Sequence, residues 1–426
     1  MNQDRSVKKE QLMEIKNIFV VLILKDGNMN IYILANFTNS QTSRFIEIAK
    51  LFSDRGHNVT VFTTEFDHGK KRKRDRFPQY DGFKTVYLYE PGYKSNVSLM
   101  RLWSHYVWGR NVMKYINDVS VKPDVVYAAL PTYTAGRLVG RWCNNNDVKY
   151  VIDVQDLWPE AFKVVVKNPL LRQFFLPMEW IANVAYKTAD YVIGVSDTYR
   201  DRALKVNKKC KDGLTVFLGN NGKMFDIAKE KYRIIKPDDE FWIAYVGTMG
   251  FSYDINLAID AIKLVKASKL SKKIKFVAMG NGPLLDEYKK HAEEAGIDFE
   301  FTGALSYEVM VGKLCSCDVV INCLRPGAAQ SITNKVGDYA LSGLPVINTQ
   351  ENPEYRKLVE VTKCGINCEC GNAKDVAAAI VKLAQSPELR KEMGEAARQL
   401  GKDKFDRRCS YARIVDAVEK LGDTQK

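Results

Sequence analysis

A short segment, QSITNKVGDYALSGLPVI at residues 330–347, combines residue types that bind phosphate and hydroxyl groups. Its spacing predicts a short amphipathic helix with Ser331 and Thr333 as N-terminal caps. Free N–H groups and the dipole at a helix N-terminus attract anions, and Lys335 adds a full positive charge one turn into the helix. Asp338 lies one turn further, where a carboxylate can accept hydrogen bonds from sugar hydroxyls. The segment therefore indicates a sugar-nucleotide site, with an ordinary loop–helix–strand of an α/β domain as the equally weighted alternative.

Two glycine-containing turns follow predicted strands in the second half of the chain. Gly247-Thr-Met-Gly ends one strand and Gly280-Asn-Gly-Pro ends another, but neither is a complete G-x-G-x-x-G dinucleotide fingerprint. The sequence contains no P-loop, no cysteine–histidine nucleophile arrangement, and no Asp-x-Asp motif that would hold a sugar nucleotide through a metal. We therefore expect no metal and no cofactor, and we expect backbone N–H groups and Lys335 to neutralise the phosphates.

The composition of this 426-residue chain is that of a soluble globular protein, with 46% hydrophobic and 27% charged residues. Its length favours two domains of roughly 200 residues each. The net charge of +13 favours an anionic partner, such as nucleic acid, a membrane surface or a phosphorylated substrate. Nine scattered cysteines are typical of reduced thiols in a cytosol. No apolar run approaches the roughly 18 residues of a transmembrane helix, and no signal peptide is predicted.

The hydrophobic pattern predicts a strand–loop–helix order that repeats along two halves of the chain. We interpret residues 1–28, which are charged and then briefly apolar, as an N-terminal extension. Residues 29–228 and 229–405 are predicted to form two Rossmann-like domains with parallel sheets, joined by a polar linker that begins the second. A last helix at 406–426 is expected to pack back on the first domain. Such sheets bind ligands at the carboxyl ends of their strands, and two of them enclose a cleft.

Basic and aromatic residues are concentrated in the first predicted domain. The segment KKRKRDR at 70–76 is a predicted loop, and a predicted helix at 99–116 carries Trp103 and Tyr106 among basic residues. Aromatic and basic residues together suit the interface of an anionic membrane. A solvated loop tip and a buried helix are equally weighted alternatives, and the apolar stretch at 170–185 is a second candidate surface.

Several segments occur in the order found in a known family. They are DRGHNVTVF at 54–62, DVQDLWPE at 153–160, ADYVIGVS at 189–196, GNNG at 219–222, YVGTMG at 245–250, MGNGP at 279–283, FTGAL at 301–305, NKVGDYALSGLPVI at 334–347 and SPELRKEMGEAARQL at 386–400. Together they resemble the retaining glycosyltransferases of the GT-B fold, specifically family 4, over nearly the whole chain. DVQDLWPE and NKVGDYALSGLPVI are most similar to the subgroup that builds bacterial capsule or O-antigen repeat units. The resemblance implies an α/β architecture of two Rossmann-like domains that face each other across a cleft.

The resemblance implies donor-side roles around the segment at 330–347. The family's Glu-x7-Glu pair falls on Gln330 and Asp338, so Gln330 and the N–H groups after it would hold donor-sugar hydroxyls, and Asp338 the ribose. The family's usual arginine and lysine after YVG fall near Thr248 and Tyr253, which are not basic. More of the diphosphate charge therefore rests on Lys335. The predicted donor-side set also contains Gly247, Thr248, Gly280, Asn281, Gly282, Ser331 and Asn334.

Other positions are predicted to act at the reacting sugar or on the acceptor. Gln155 stands where many family members carry a histidine, and because a neutral amide cannot act as a base, we interpret it as an orienting group. Asp156 and Glu160 are acceptor-side candidates, with helix capping or a structural salt bridge as the equally weighted alternative. Gln155 and Asp156 complete a predicted catalytic set with Gln330, Lys335 and Asp338. The acceptor side is also predicted to include Asn36, Thr38 and Arg44, expected to face the ligand.

The sequence thus predicts a retaining hexosyl- or N-acetylhexosaminyl-transferase that uses a nucleotide-sugar donor, expected to be a UDP-sugar. The expected acceptor is a lipid-linked or other saccharide intermediate of surface-polysaccharide synthesis, and the expected location is cytoplasmic, peripheral on the inner membrane face. One alternative is a nucleotide-sugar 2-epimerase of the same fold, although the chain has four histidines and none in the key loops. A non-enzymatic anion-binding protein is the other alternative, and no nucleic-acid motif supports a nucleic-acid partner.

Overall fold

Short apolar segments, separated by glycine and polar turns, give the chain two parallel β-sheets. The structure is a computed structural model that describes residues 28–38, 44–95, 98–160, 173–266, 270–328 and 332–423. The chain divides into two units. The N-terminal unit contains the chain up to Gly194, Tyr199–Leu214 and the residues from Ile414, and the C-terminal unit contains Val195–Thr198 and Thr215–Arg413. Of the predicted extension at 1–28, only Asn28 is described.

The first part of the chain builds the sheet of the N-terminal unit. Its strands are β1 (Asn30–Leu34), β2 (Asn58–Thr64), β3 (Phe66–Asp67), β4 (Arg72–Lys73), β5 (Lys84–Leu88), β6 (Val125–Leu130), β7 (Lys149–Val154), β8 (Tyr191–Gly194) and β9 (Gly213–Thr215). Its helices are α1 (Arg44–Asp54), α2 (Leu99–Asp118), α3 (Tyr133–Asn145), α4 (Leu176–Lys187) and α5 (Asp197–Leu204). Among the described residues, seven strands form the sheet in the order β5–β2–β1–β6–β7–β8–β9, and β3 pairs with β4 as an antiparallel hairpin.

The C-terminal unit repeats this strand–helix alternation. Its strands are β10 (Glu240–Val246), β11 (Lys273–Met279), β12 (Asp298–Gly303), β13 (Val319–Asn322), β14 (Val346–Asn348) and β15 (Gly365–Asn367). Its helices are α6 (Gly222–Tyr232), α7 (Ile255–Lys266), α8 (Leu285–Ala295), α9 (Tyr307–Leu314), α10 (Asn334–Ser342), α11 (Pro353–Thr362), α12 (Ala373–Gln385), α13 (Pro387–Leu400) and α14 (Arg407–Ser410), and α15 (Ala412–Asp423) ends the described chain. In the part of the chain that the structure describes, six strands form one sheet in the order β12–β11–β10–β13–β14–β15.

The central strand β10 explains why the C-terminal sheet is buried on both faces. Its successive side chains alternate between two hydrophobic clusters: Ile243 and Tyr245 belong to one, and Trp242 and Ala244 belong to the other. Ile243 and Ala244 are completely buried. A parallel sheet covered by helices on both faces requires such continuous apolar strands. Because the strands are parallel, the loops that follow them all lie at one edge of the sheet.

The segment between the two units differs from the predicted polar linker. Residues 229–232 belong to helix α6, which Asn221 caps by accepting a hydrogen bond from Met224 N at 3.1 Å. Phe225 and Ala228 bury one face of this helix in a cluster of the C-terminal unit. The main segment of the C-terminal unit, Thr215–Arg413, therefore begins ahead of the boundary predicted at residue 229.

The last helix, α15, belongs to the N-terminal unit from Ile414 onward. Glu419 lies at the centre of its polar contacts, accepting a hydrogen bond from Arg55 Nη1 at 2.6 Å and lying 2.8 Å from His57 Nε2. Its neighbour Asp416 lies 2.7 Å from the same arginine. These contacts hold helix α15 against the turn between α1 and β2.

No helix within the described ranges is both long enough and apolar enough to cross a lipid bilayer.

Candidate active site

The two predicted glycine turns of the C-terminal unit lie directly against each other. Gly247 N donates a hydrogen bond to Met279 O at 3.0 Å, and Met249 N donates one to Asn281 O at 2.9 Å. A Cβ atom at Gly280 would lie 1.9 Å from Gly247 O, so only glycine allows this approach of the two backbones. The turns therefore form one backbone-lined wall at the carboxyl ends of β10 and β11.

Lys335 places its amino group beside this wall. Its side chain is 7% exposed, and its Nζ atom lies 4.0 Å from the ring centroid of Tyr245 and 3.8 Å from that of Tyr253. A Cβ atom added to Gly247 would lie 3.1 Å from Nζ, so the ammonium group points at the glycine turn. Among the described residues, Nζ has no hydrogen-bond partner.

Burial dominates the electrostatics of this lysine. Loss of hydration lowers the pKa of Lys335 from 10.5 to about 7, and the negative charge that Cys323 would carry as a thiolate opposes the shift weakly. The two tyrosine rings stabilise the cation by cation–π attraction, which does not satisfy its N–H donors. An anion placed against Gly247 would supply both the missing acceptors and the missing counter-charge. The arrangement therefore favours the binding of an anion.

The start of helix α10 borders the same region. Asn334 is its first residue and is exposed, and Thr333 is its cap residue, although the Thr333 side chain makes no capping hydrogen bond. The hydroxyl of Thr333 is buried and lacks a partner in the described part of the chain. The predicted roles of Gln330 and Ser331 fall outside the described residues.

Asp338 lies one helical turn after Lys335 and is 8% exposed. Its Oδ1 atom accepts hydrogen bonds from Asn220 Nδ2 at 2.7 Å and from the Tyr307 hydroxyl at 2.9 Å. Burial raises the pKa of Asp338 to about 7, against the hydrogen bond from Tyr307 and the attraction of Arg407, which lower it. The carboxyl group is therefore held in a fixed orientation by side chains from two other elements.

Four residues of this site were not identified by sequence reasoning as part of it. Asn220 stands in the GNNG segment that was noted as a motif, but its partner Asp338 is distant in sequence. Tyr307 carries no motif signal. Tyr245 and Tyr253 flank Lys335, and Tyr253 was noted only as a non-basic residue where the family usually carries a basic one. These aromatic rings hold the ammonium group that Lys335 contributes.

The remaining donor-side predictions lie along the wall. Thr248 and Asn281 are exposed. The Tyr245 hydroxyl donates to Thr248 O at 2.7 Å, and Gly282 N donates to Asn281 Oδ1 at 2.7 Å. Both contacts stabilise the turns and leave the Thr248 side chain at the surface. The structure thus brings Gly247, Gly280 and Lys335 together, and Thr248 and Asn281 lie beside them.

In the N-terminal unit, Asn36 and Thr38 follow β1 and are buried, at 4% and 7% exposure. Asn36 O lies 3.1 Å from His68 Nε2, and Thr38 O accepts a hydrogen bond from Arg74 Nη2 at 2.6 Å. These contacts fix the loop at the carboxyl end of β1. A direct contact with ligand remains a prediction for both residues.

Arg44 does not face the ligand as expected. Its side chain is 2% exposed, and its Nε atom lies 2.7 Å from Oδ2 of Asp153, which is completely buried. The hydroxyl of Tyr127 donates to the same oxygen at 2.6 Å. A buried ion pair needs additional hydrogen bonds to offset desolvation, and Tyr127 supplies one here. The cluster therefore stabilises the packing of α1 against the sheet.

The DVQDLWPE loop follows β7 and contains the other acceptor-side candidates. Gln155 N donates to Leu130 O at 3.1 Å, and the buried Nε2 atom of Gln155 has no partner within the described ranges. Asp156 accepts hydrogen bonds from Leu157 N and Trp158 Nε1, both at 2.9 Å, and burial raises its pKa. Glu160 forms an ion pair with Arg202. This is the structural salt bridge that the sequence analysis gave as the alternative to an acceptor-side role.

One group in the described residues has the composition of a metal site. His68, Glu90 and His105 are buried, and one ligand atom from each lies within 4.8 Å of the others. Burial lowers the pKa of both imidazoles and so favours their neutral forms. His68 already lies 2.8 Å from the Tyr93 hydroxyl through Nδ1, and its Nε2 contacts Asn36 O. We interpret the group as a hydrogen-bonded support for the loop after β1.

Comparison with known proteins follows the division into two units. Residues 41–211 match the family described as Glycosyltransferase Family 4, and residues 226–400 match the family described as Glycosyl transferases group 1. A probable glycosyltransferase, WbjE from Pseudomonas aeruginosa, is 25% identical over 241 residues, which are 52% of this chain. The match spans 56% of the length of WbjE.

Solved structures share the fold over more than nine tenths of the chain. HepE from Anabaena, in complex with UDP, is 14% identical with a TM-score of 0.66, covering 92% of this chain and 100% of HepE. Sucrose-phosphate synthase from Thermosynechococcus elongatus is 15% identical with a TM-score of 0.65, covering 92% and 99%. WaaG, a glycosyltransferase involved in lipopolysaccharide biosynthesis, is 16% identical with a TM-score of 0.60, covering 91% and 99%.

The two parallel sheets and these neighbours define the fold as GT-B. The chain belongs to the GT-B glycosyltransferases of family 4. The expected fold class and family are thereby confirmed.

Proposed function

We propose that this protein transfers a sugar from a UDP-sugar to a lipid-linked intermediate of surface-polysaccharide synthesis, with retention of configuration at the anomeric carbon. The observation that carries the proposal is the buried ammonium group of Lys335, which points at Gly247 with no hydrogen-bond partner among the described residues. A nucleotide diphosphate supplies the acceptor oxygens and negative charge that this group needs.

The choice of UDP is supported by neighbours of the same fold. HepE is described in complexes with UDP, with UDP and glucose, and with UDP-glucose. In the proposed site Lys335 and the backbone of the glycine turns bind the diphosphate. Asp338, oriented by Asn220 and Tyr307, accepts hydrogen bonds from the ribose hydroxyls.

Retention follows when the acceptor hydroxyl attacks the anomeric carbon on the face from which UDP departs. The bond between the anomeric carbon and the β-phosphate oxygen breaks, the new glycosidic bond forms, and the leaving diphosphate takes the proton of the hydroxyl. Lys335 stabilises the negative charge that develops on the diphosphate in the transition state. Such electrostatic stabilisation is usually the largest single contribution to catalysis. For the N-terminal unit, the roles of Gln155 as an orienting group and of Asp156 as an acceptor contact stay predictions.

The proposed donor site binds its diphosphate without a metal ion, because Lys335 and backbone N–H groups supply the counter-charge. We expect incubation with excess EDTA to leave the transfer rate unchanged, within about twofold, in an assay that measures release of UDP. A loss that added Mn²⁺ or Zn²⁺ restores would contradict this. The variant His105→Asn would then show whether the metal acts through the group of His68, Glu90 and His105.

We further propose that the N-terminal unit binds the inner membrane surface. Hairpin β3–β4 carries exposed cations, and the first turns of helix α2 carry Leu99, Met100 and Trp103, which are 84%, 50% and 54% exposed. Exposed apolar side chains beside a basic hairpin combine the two attractions that hold a protein on an anionic bilayer.

The membrane proposal predicts flotation with liposomes that contain anionic lipid. Neutralising Lys70, Arg72 and Lys73 to glutamine should weaken binding on the order of 100-fold, since each basic residue near the surface contributes about 1 kcal/mol. A matched control neutralises Lys273, Lys290 and Lys391 of the C-terminal unit, which are 74%, 77% and 78% exposed. Absence of parent binding, or equal losses in both triple variants, would contradict the proposal.

A further inference from the structure

Trp158 joins the loop after β7 to the first turns of helix α2. Although this residue belongs to a loop, its side chain is only 5% exposed. The guanidinium carbon of Arg101 lies 3.9 Å from a ring centroid of the indole. The plane of the His105 ring is 10° from that of the indole, and their centroids are 6.2 Å apart. Because Arg101 and His105 are four positions apart on α2, they lie on the same face of the helix, and both adjoin the indole.

The polar edge of the indole is directed at Asp156. Trp158 Nε1 donates a hydrogen bond to Asp156 Oδ2 at 2.9 Å, and Leu157 N donates one to Oδ1 at the same distance. Each carboxylate oxygen thus has a donor from within the loop, and the two bonds fix the orientation of the side chain. A carboxylate oxygen can accept more than one hydrogen bond, so this half-buried group keeps the capacity to accept one from a ligand.

The groups around Asp156 favour its ionised form. Burial raises the pKa of Asp156, and its two hydrogen bonds and the attraction of Arg101 oppose that rise. From α3, the Tyr133 hydroxyl donates to Asp156 O at 2.9 Å, and the Tyr186 hydroxyl of α4 lies 2.6 Å from that of Tyr133. Burial raises the pKa of both tyrosines, so neither adds a negative charge near neutral pH. The carboxylate therefore has a cation on one side and neutral hydroxyls on the other.

The indole N–H of Trp158 contributes more than packing to this arrangement. A phenylalanine at this position would keep an aromatic face for Arg101 but would have no donor for Asp156 Oδ2. The carboxylate would then lose one of the two bonds that fix its orientation, and it would gain a proton more readily. The indole N–H therefore influences both the direction and the charge of Asp156.

We propose that Trp158 is a positioning residue for sugar transfer. Its indole N–H, held in place by Arg101, orients the Asp156 carboxylate to accept a hydrogen bond from the attacking hydroxyl of the acceptor. The inference rests on the proposed function, because it explains the acceptor contact predicted for Asp156. The loop lies at the carboxyl end of β7, the edge at which parallel sheets bind ligands. A carboxylate that is already oriented lowers the entropic cost of placing the hydroxyl for attack.

The hydrogen bond can be observed directly through the indole N–H signals of the six tryptophans. In protein labelled with ¹⁵N-tryptophan, we expect the Trp158 signal, identified by its loss in Trp158→Phe, to move as pH falls and Asp156 gains a proton. The movement should be absent from Asp156→Asn. Trp142 is the internal control, because its Nε1 donates to the uncharged Asn117 Oδ1 at 3.0 Å. A Trp158 signal that moves equally in the parent and in Asp156→Asn, or in neither, would overturn the inference.

The effect on the reaction is measured as UDP release with decyl diphosphate N-acetylglucosamine, a short lipid-linked acceptor. At pH 7, Trp158→Phe should raise the KM for this acceptor about tenfold and leave the KM for the donor unchanged. Because loss of the indole bond raises the pKa of Asp156, the acid limb of kcat/KM for the acceptor should move up by about one pH unit. The matched control Trp142→Phe also removes an indole hydrogen bond from the N-terminal unit and should retain the parent values. A parent-like acceptor KM and pH profile in Trp158→Phe would overturn the inference.

Combining two substitutions separates positioning from packing. The double variant of Asp156→Asn and Trp158→Phe should be no worse than Asp156→Asn alone, because the indole acts through the carboxylate. Additive losses would show that Trp158 acts independently of Asp156 and would overturn the positioning role. An unchanged acceptor KM in Asp156→Asn would contradict the proposed acceptor contact, and the inference with it. A loss in Asp156→Asn that Trp158→Phe does not share would contradict the inference alone.

Discussion

Replacing Lys335 with methionine is expected to lower the rate of sugar transfer roughly 10²- to 10³-fold, the usual effect of removing one fixed charge-stabilising group. The ammonium group lies 3.8–4.0 Å from two aromatic ring centroids and points at Gly247, where the departing diphosphate is proposed to bind. Methionine fills a similar volume but cannot stabilise that charge. The loss should appear in kcat as well as in the KM for the donor, measured by UDP release.

The fold should tolerate this change. A buried cation that lacks hydrogen-bond acceptors destabilises the unliganded protein, and methionine removes the cost of burying it. Because the pKa of Lys335 is lowered to about 7, the unfolded state binds more protons than the folded state between about pH 7 and 10. Stability of the parent should therefore rise with pH across that window, and this rise should be absent from Lys335→Met.

A second buried lysine provides the control. Lys313 is 9% exposed, and its Nζ atom lies 2.6 Å from Glu300 Oε1. Lys313→Met leaves that carboxylate with only the more distant Lys275, whose Nζ atom lies 3.5 Å from Glu300 Oε2, so it should lower the melting temperature and spare transfer by the folded protein. Parent-level transfer by Lys335→Met would contradict the assignment of Lys335.

Replacing Asp338 with asparagine is expected to raise the KM for the donor at least tenfold, because the proposed ribose contact requires a carboxylate that accepts hydrogen bonds. Asparagine keeps the shape of the side chain and an oxygen for Asn220 and Tyr307, so the fold should survive. Alanine would remove the acceptor from both partners and should cost about 1–3 kcal/mol of stability, so it is a poorer test of function.

Comparison of two ligands separates the roles of Lys335 and Asp338. Asp338→Asn should weaken the binding of both uridine and UDP, whereas Lys335→Met should weaken the binding of UDP alone, since uridine has no phosphate. Uridine binding can be followed by NMR line broadening. Unchanged UDP binding by Asp338→Asn would remove this residue from the site.

The pH dependence of stability provides an independent check on Asp338. Burial raises its pKa from 3.8 to about 7, so the folded protein keeps a proton that the unfolded chain has lost. This group therefore contributes stability below about pH 4, and the contribution is lost as pH rises to about 7. The decline should be smaller in Asp338→Asn.

The strands and turns around the donor site were predictable from sequence because their signals are local. Apolar runs that end in glycine marked β10 and β11. The short strands β5 and β15 were not predicted, since most of their residues are exposed or half-buried and neither contains a long apolar run. The basic run at 70–76 was predicted as a loop, and the structure places Arg72 and Lys73 of that run in a strand of the β3–β4 hairpin.

Side-chain partners distant in sequence could not be predicted. Arg44 was assigned to the ligand because it follows a polar loop, but its partner Asp153 lies 109 positions away. Asn220 and Asp338 are likewise separated by 118 positions, so nothing local indicates that one orients the other. Charge and residue type gave the candidates at the donor site, but only the fold determines whether a given charge meets a partner or remains available to a ligand.

The measurement that tests the donor site most directly is calorimetric titration of UDP at pH 8, in two buffers with different enthalpies of ionisation. With a pKa of about 7, Lys335 is mostly neutral at this pH, and the diphosphate should restore its proton. We expect the parent to bind UDP and take up close to one proton, and Lys335→Met to bind at least tenfold more weakly with no uptake. Equal affinity and equal proton exchange in the two proteins would contradict it.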